Sequence, residues 1–325
     1  MTIPVIALVL TLLLAGLTQA PGASAQKGSK MYRLGWVSLI TAPTQSSPTY
    51  EALKARLAER GYAEGKNVTF EPRWADGDYQ RVPELLAELE RTGVDVIFAP
   101  GSRNARISQN IVKRTPLVVY TCDAFDHVAR LARQGGNVTG VTCMTSELTA
   151  KRLELLKEAV PRASRIVFLS EPEDSPSGLK RAQDAAPGLG IKLTTVGFKS
   201  RDEVPRALEA VAKERPDALF VYPDPIAVAE RERIAEFALK QRLPTMYAFR
   251  EFVDAGGLIS YGANSVELFR QIADQIAKIF DGRAPADLPM EQAARFELVI
   301  NLKTAKALGL TIPPSLLARA DQIIE

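Results

Sequence analysis

Runs that read as β-strands alternate with runs that read as helices along nearly the whole chain. This alternation restricts the fold to parallel sheets covered by helices on both faces. The first series predicts strands at Arg33–Ser38, Val68–Glu71, Val94–Ala99 and Leu117–Tyr120. Between them, Ser47-Pro48 supplies an N-cap with proline at the first helical position, and Gly61 stops the helix. Two further helices are predicted over Tyr79–Arg91 and Arg103–Lys113.

After Asn137–Thr142 the pattern restarts. A helix over Ser146–Val160 leads to strands at Arg165–Leu169, Lys192–Val196, Ala218–Tyr222 and Thr245–Ala248. The intervening helices open at Ser175-Pro176, run through Lys213, and span Ile226–Gln241. The halves echo each other: Val94-Asp95-Val96-Ile97-Phe98-Ala99-Pro100-Gly101 resembles Pro216-Asp217-Ala218-Leu219-Phe220-Val221-Tyr222-Pro223-Asp224, and Thr115-Pro116-Leu117 resembles Leu243-Pro244-Thr245 in the same order. Two α/β lobes explain this better than one large sheet. The last section, Gly256–Glu325, is too short for a third lobe. Its expected strands (Leu258–Tyr261 and Glu297–Leu302) and long amphipathic helix (Val266–Phe280) complete the other two, with 31–144 plus 256–292 as one lobe and 145–255 plus 293–325 as the other. The chain must then cross between lobes more than once, making a hinge and a cleft.

Composition narrows the functional classes. Forty-one basic against 38 acidic residues give a net charge of +3, which supplies no electrostatic footprint for nucleic acid. Residues 1–26 carry no charged side chain, and the apolar run Val5–Leu17 is too short to span a bilayer. With Ala23-Ser24-Ala25 as a small-x-small site, 1–25 reads as a cleavable signal peptide and places the mature chain in the periplasm; an apolar helix retained as an anchor is the alternative. Cys122 and Cys143 are open to two readings, a disulfide in an oxidising compartment or two small buried apolar residues.

Ligands of open parallel sheets sit beyond the carboxyl ends of the strands. Those ends provide Ser38, Gly101-Ser102 at a helix start, Arg103, Asp123, Tyr222, Asp224, Tyr247, Arg250 and, from the last section, Tyr261. The free N–H groups at Gly101-Ser102 suit a carboxylate, although Ser102 is equally well read as an N-cap. Asp224 between two prolines suits either an N-cap or a ligand ammonium group. Tyr222, Tyr247 and Tyr261 are candidates to sandwich a planar solute, and Arg103 and Arg250 to clamp a carboxylate.

Enzyme readings are thin. The chain has no phosphate loop, no nucleophile elbow and no dinucleotide fingerprint after its first strand. Its single histidine, His127, leaves Asp123, Asp126 and His127 as the one acid–base cluster to weigh, and a solvated turn explains these three as well. No metal site or cofactor is expected.

Several longer motifs carry a family resemblance: Arg60-Gly61-Tyr62-x-Glu64-Gly65-Lys66-Asn67, Arg73-Trp74-Ala75-Asp76-Gly77, Gly135-Gly136-Asn137-Val138-Thr139-Gly140, Lys151-Arg152-Leu153-Glu154-Leu155-Leu156-Lys157, Ala248-Phe249-Arg250-Glu251-Phe252-Val253, and the tail from Phe296 to Pro313. Together they resemble the ABC-transporter substrate-binding family that includes tryptophan and tyrosine binding proteins. The resemblance implies a type I periplasmic-binding-protein fold. It further implies a monomer that captures a small molecule between its lobes and presents it to a membrane permease, without catalysis. On that analogy Ser38, Gly101 and Ser102 receive the carboxylate and Asp224 the amine. The chain departs from the pattern at Arg103-Asn104 and at Asp123–His127. The added arginine tilts the expectation toward an acidic, aromatic carboxylate. A ligand sensor for a membrane receptor is the alternative binding reading.

Overall fold

Each of the two echoing segments does the same job in a different sheet. The computed structural model describes residues 30–40, 47–122, 136–173 and 176–325, so the predicted leader and Asp123, Asp126 and His127 lie outside the described residues. Asp95 exchanges hydrogen bonds with Arg33, its N–H to the Arg33 carbonyl (2.9 Å) and its carboxylate accepting the Arg33 N–H (2.8 Å). Asp217 repeats this with Arg165, at 2.7 and 2.8 Å. In both lobes an aspartate just before a central strand thus fixes the start of its neighbour. The prolines echo too: Pro116 accepts from Ile97 and Pro244 from Leu219, both at 2.9 Å.

The first sheet is built from β1 (Tyr32–Ser38), β2 (Val68–Trp74), β3 (Val96–Pro100), β4 (Leu117–Thr121) and β5 (Val138–Thr142), in the order β5-β4-β3-β1-β2 and all parallel. Helices α1 (Pro48–Glu59), α2 (Val82–Thr92) and α3 (Ser102–Ile111) connect its strands. Ser47 caps α1 by accepting the Tyr50 N–H. The second sheet follows the crossover helix α4 (Thr149–Ala159). It contains β6 (Arg165–Ser170), β7 (Lys192–Gly197), β8 (Ala218–Val221) and β9 (Thr245–Tyr247), joined through α5 (Pro176–Ala185), α6 (Val204–Glu214), α7 (Pro225–Ala229) and α8 (Arg231–Lys240). Because both sheets are covered on two faces, their central strands are buried, while the edge strands β2 and β7 stay partly exposed.

Two expectations need correction. The single helix expected over Ile226–Gln241 is two, broken at Glu230, whose buried carboxylate pairs with Arg201 and Arg233 rather than continuing a solvated helical face. The strand expected in the first lobe, β10 (Ile259–Ala263), belongs to the second sheet. It follows α9 (Arg250–Asp254), runs parallel to β9 and pairs antiparallel with β12 (Phe296–Asn301). The long helix α10 (Ser265–Phe280), capped by Asn264, does return to the first lobe, where it packs on α1 and β5. The two-residue strand β11 (Glu291–Gln292) then joins β5 before the chain enters β12. Helices α11 (Leu302–Leu308) and α12 (Pro314–Leu317) and strand β13 (Gln322–Ile324) finish the second lobe.

The chain therefore passes between lobes three times, at β5–α4, β10–α10 and β11–β12. The crossings are tied together. Asn264 donates its N–H to the Arg295 carbonyl (2.9 Å), and Ala293 donates to Thr142 (2.8 Å). Arg152, fully buried at the start of α4, donates to the Thr145 carbonyl and, at 3.4 Å, to the Tyr261 carbonyl. Burial lowers its pKa to about 10.

The Asp217 carboxylate accepts from the N–H groups of Ser164 and Arg165 and from the Arg165 guanidinium (2.9, 2.8 and 3.0 Å), which hold its pKa well below the usual carboxylate range. A depressed carboxylate pKa adds stability above the unfolded-state value near 4 and loses it as pH falls below that. Asp217→Asn is expected to cost about 1–2 kcal/mol at pH 7. The difference from the parent should shrink progressively as pH falls below about 4, as read by urea unfolding between pH 7 and about pH 2.

Candidate functional site

The carboxyl ends of the strands from both sheets meet at one level, and several side chains reach across. The Tyr222 hydroxyl, just beyond β8, donates to the Cys122 carbonyl beyond β4 at 3.3 Å. Arg103, in the first turn of α3, places its guanidinium 3.3 Å from Glu171 and 3.1 Å from Glu173, both beyond β6. The same guanidinium lies 4.1 Å from the ring centroid of Tyr79. Arg106, one position shy of a turn later, donates to the Glu173 carbonyl. An apolar crevice of about 10 Å³, enough for roughly one water, separates Leu39, Ile40 and Gly77 from Pro225, Ile226, Ala229 and Arg201. The lobes are closed on each other.

Glycine permits the tightest approach. Gly101 has φ of +99°, and a Cβ built there would lie 2.9 Å from Pro225 Cγ on the opposite lobe. Gly101 also occupies the N-cap of α3 and, being glycine, has no side chain with which to cap it. Ser102 does not cap its own helix. Its hydroxyl accepts the Cys122 N–H at 3.0 Å and sits 3.2 Å from the Thr121 hydroxyl, bracing the end of β4. Ser38, at the end of β1, is 5% exposed.

Asp224 caps α7 through the Ala227 N–H (2.8 Å), and its other oxygen accepts the Glu171 N–H (3.4 Å). The structural half of the expectation for this residue is thus realised, and it sets two buried acids side by side. The loops carrying Ser102 and Asp224 face each other, since their chain neighbours Gly101 and Pro225 touch. Cys122 and Cys143 form a disulfide with Cα atoms 5.0 Å apart, joining the ends of β4 and β5 at the first crossing.

Three predicted residues are engaged elsewhere. Tyr247 is fully buried, stacked on Phe252 at 4.6 Å and pressed against Gly257, so it serves the core of the second lobe. Arg250 pairs with Asp254 (3.2 Å) and Glu297 (3.9 Å), and these acids satisfy the guanidinium that the sequence offered to a ligand. Tyr261 packs its ring against the second-lobe core, and its carbonyl holds Arg152. Arg103, expected to clamp a solute carboxylate, lies against two acids across the cleft. Sequence reasoning placed Glu171 and Pro225 among the strand ends without giving either a role, and missed Tyr79. Glu171 had a visible signal, a carboxylate immediately after a buried strand; Tyr79 had none.

Comparison with known proteins places this geometry. The sequence profile described as "ABC transporter substrate binding protein" matches residues 38–324. A "Tyrosine-binding protein" of Clostridioides difficile is 24% identical over 309 residues, covering 92% of this chain and 88% of its own. Among solved structures, a conserved domain protein from Vibrio cholerae superposes with a TM-score of 0.82 at 26% identity over 90% of this chain and all of its own. An ABC domain from Streptococcus pneumoniae solved in complex with L-Trp superposes at 0.80, with 23% identity over 91% of this chain and all of its own. The fold is that of type I periplasmic binding proteins.

Two outcomes are expected from this geometry. Gly101→Ala should oppose closure through both its positive φ and the Pro225 contact, leaving a larger radius of gyration in small-angle scattering while secondary structure by circular dichroism is kept. Replacing Cys122 and Cys143 together with alanine should cost about 3 kcal/mol in chemical unfolding, given the 21-residue separation that the disulfide closes.

Proposed function

Because the chain belongs to the ABC transporter substrate-binding protein family, we propose that it is the extracytoplasmic receptor of an ABC importer that captures an aromatic, amino-acid-like carboxylate between its lobes. The observation that carries this reading is the facing of the α3 N-terminus and Asp224 across a closed cleft. The N–H groups and dipole of a helix N-terminus suit a carboxylate. A buried acid pair, Asp224 with Glu171, suits an ammonium group within reach of the same solute. Tyr222, expected to stack on a solute, is instead wholly buried in the second-lobe core against Phe168 (5.6 Å) and Gly178. The printed ligands of the relatives, tyrosine for one and L-Trp for another, support this class.

The solute touches both lobes and so favours the closed form by its differential affinity. The closed surface is what a membrane permease then recognises. Capture without turnover accounts for the site, and a monomer suffices for it. The uncharged apolar segment before Ala23-Ser24-Ala25 supports export, and the disulfide suits an oxidising compartment such as the periplasm.

Titration with L-tyrosine, L-tryptophan and L-phenylalanine, read by thermal shift and by scattering, tests the proposal. A cognate solute at about 100 times its Kd should stabilise the protein by about 2.7 kcal/mol. It should also reduce the radius of gyration. Absence of both responses across the aromatic amino acids would overturn it.

A further inference from the structure

The second crossing carries a carboxyl group whose charge its surroundings do not answer. Glu251, on α9 of the second lobe, accepts the hydroxyl of Ser265, the first residue of α10 beyond the crossing. Its other oxygen, Oε2, is buried without a hydrogen-bond partner. Glu297 on β12, 6% exposed, likewise keeps Oε1 buried without a partner. Arg250, on the same helix as Glu251, pairs with Asp254 (3.2 Å) and reaches Glu297 (3.9 Å) instead. The other elements packed on α9 supply no counter-charge. β9 and β10 bring Tyr247 and Tyr261, and the charged residues of α8 are matched in the pairs Arg231–Glu232, Arg233–Glu230 and Lys240–Glu236. At the start of α10, Glu267 faces Arg270. Burial foremost, with the charges of Asp254 and Glu297 added, pushes the Glu251 carboxyl up, against the lowering by the Ser265 hydroxyl.

We propose that Glu251 is a proton-operated latch at the hinge: with its proton bound it favours the closed lobes, and once ionised it favours opening. The helix α9 belongs to the second lobe and α10 to the first, so opening about Asn264 draws Ser265 away and admits water to the carboxyl. A neutral carboxyl loses little by burial, whereas a carboxylate held there lacks a cation and meets two further acids. The closed form therefore holds the proton more tightly than the open one. Closure gains from this below the closed-form pKa, and the gain is lost as pH rises through it. Acidity thereby becomes a second input to closure, beside the solute. The inference stands on the hinge and not on which solute is bound.

Small-angle scattering of the solute-free parent, E251Q and S265A between about pH 5 and about pH 8 tests this. The radius of gyration of the parent should grow as pH rises. Its closed-to-open ratio should fall by up to about tenfold per pH unit across the titration, the limit for one linked proton. E251Q, neutral at every pH, should keep the compact value throughout. S265A lacks the donor that favours the ionised form, so its transition should move to higher pH. A flat parent profile, a pH response retained in E251Q, or an unmoved transition in S265A each overturns the inference. Were E251Q not to fold, the parent and S265A profiles decide alone. Because no solute is present, failure of the aromatic amino acids to bind would sink the capture proposal and leave these outcomes readable.

Discussion

Three chain crossings between two parallel sheets determine where everything else in this protein can be. Parallel strands direct their carboxyl ends the same way, so each sheet has one functional edge. A single linker would leave those edges free to turn apart. Three crossings at β5–α4, β10–α10 and β11–β12, bonded through Asn264, Arg295, Ala293 and Thr142, restrict the relative motion to a hinge. Arg152 ties the first crossing to β10 with a guanidinium that has been removed from water completely. Backbone carbonyls rather than a carboxylate receive it, which is why its charged form is disfavoured enough to lower the pKa to about 10. The disulfide sits at the same junction and fixes the end of β4 to the end of β5.

Electrostatics then decides what the edge can hold. Removing an ion from water costs several kcal/mol, and attraction offsets this only where geometry and hydrogen bonding are good. Glu171 and Asp224 are both buried, and backbone N–H groups and Arg103 lie against their carboxylates. Arg250 illustrates the opposite case. It meets the partly exposed Asp254 at 3.2 Å, a pair worth little, and reaches the buried Glu297 only at 3.9 Å.

Much of this was legible in the sequence. Strand–helix alternation, the Ser47 and Asp224 caps, the glycine at α3 and the repeated aspartate–strand segments all arise from local chemistry, which spacing and residue type encode. The allocation of β10 was not legible, because Leu258–Tyr261 reads equally well in either sheet until its antiparallel partner β12 is placed. The break at Glu230 was hidden for a related reason: a glutamate inside an amphipathic pattern looks solvent-facing, and only the approach of Arg201 from another loop makes it a buried acceptor. Tyr247 looked like a cleft aromatic because strand-end position says nothing about which face of the sheet a ring occupies. Its stacking on Phe252 is a tertiary fact.

Closure and selectivity are one problem in this cleft rather than two. The contact of Gly101 with Pro225 sets how near the lobes come, and that distance sets whether Arg103 reaches Glu171. Were the lobes held a few ångströms apart, Glu171 would be hydrated and its attraction to Arg103 would weaken. A solute that touches both strand edges acts on the closed state, where the low dielectric makes each misplaced charge most costly.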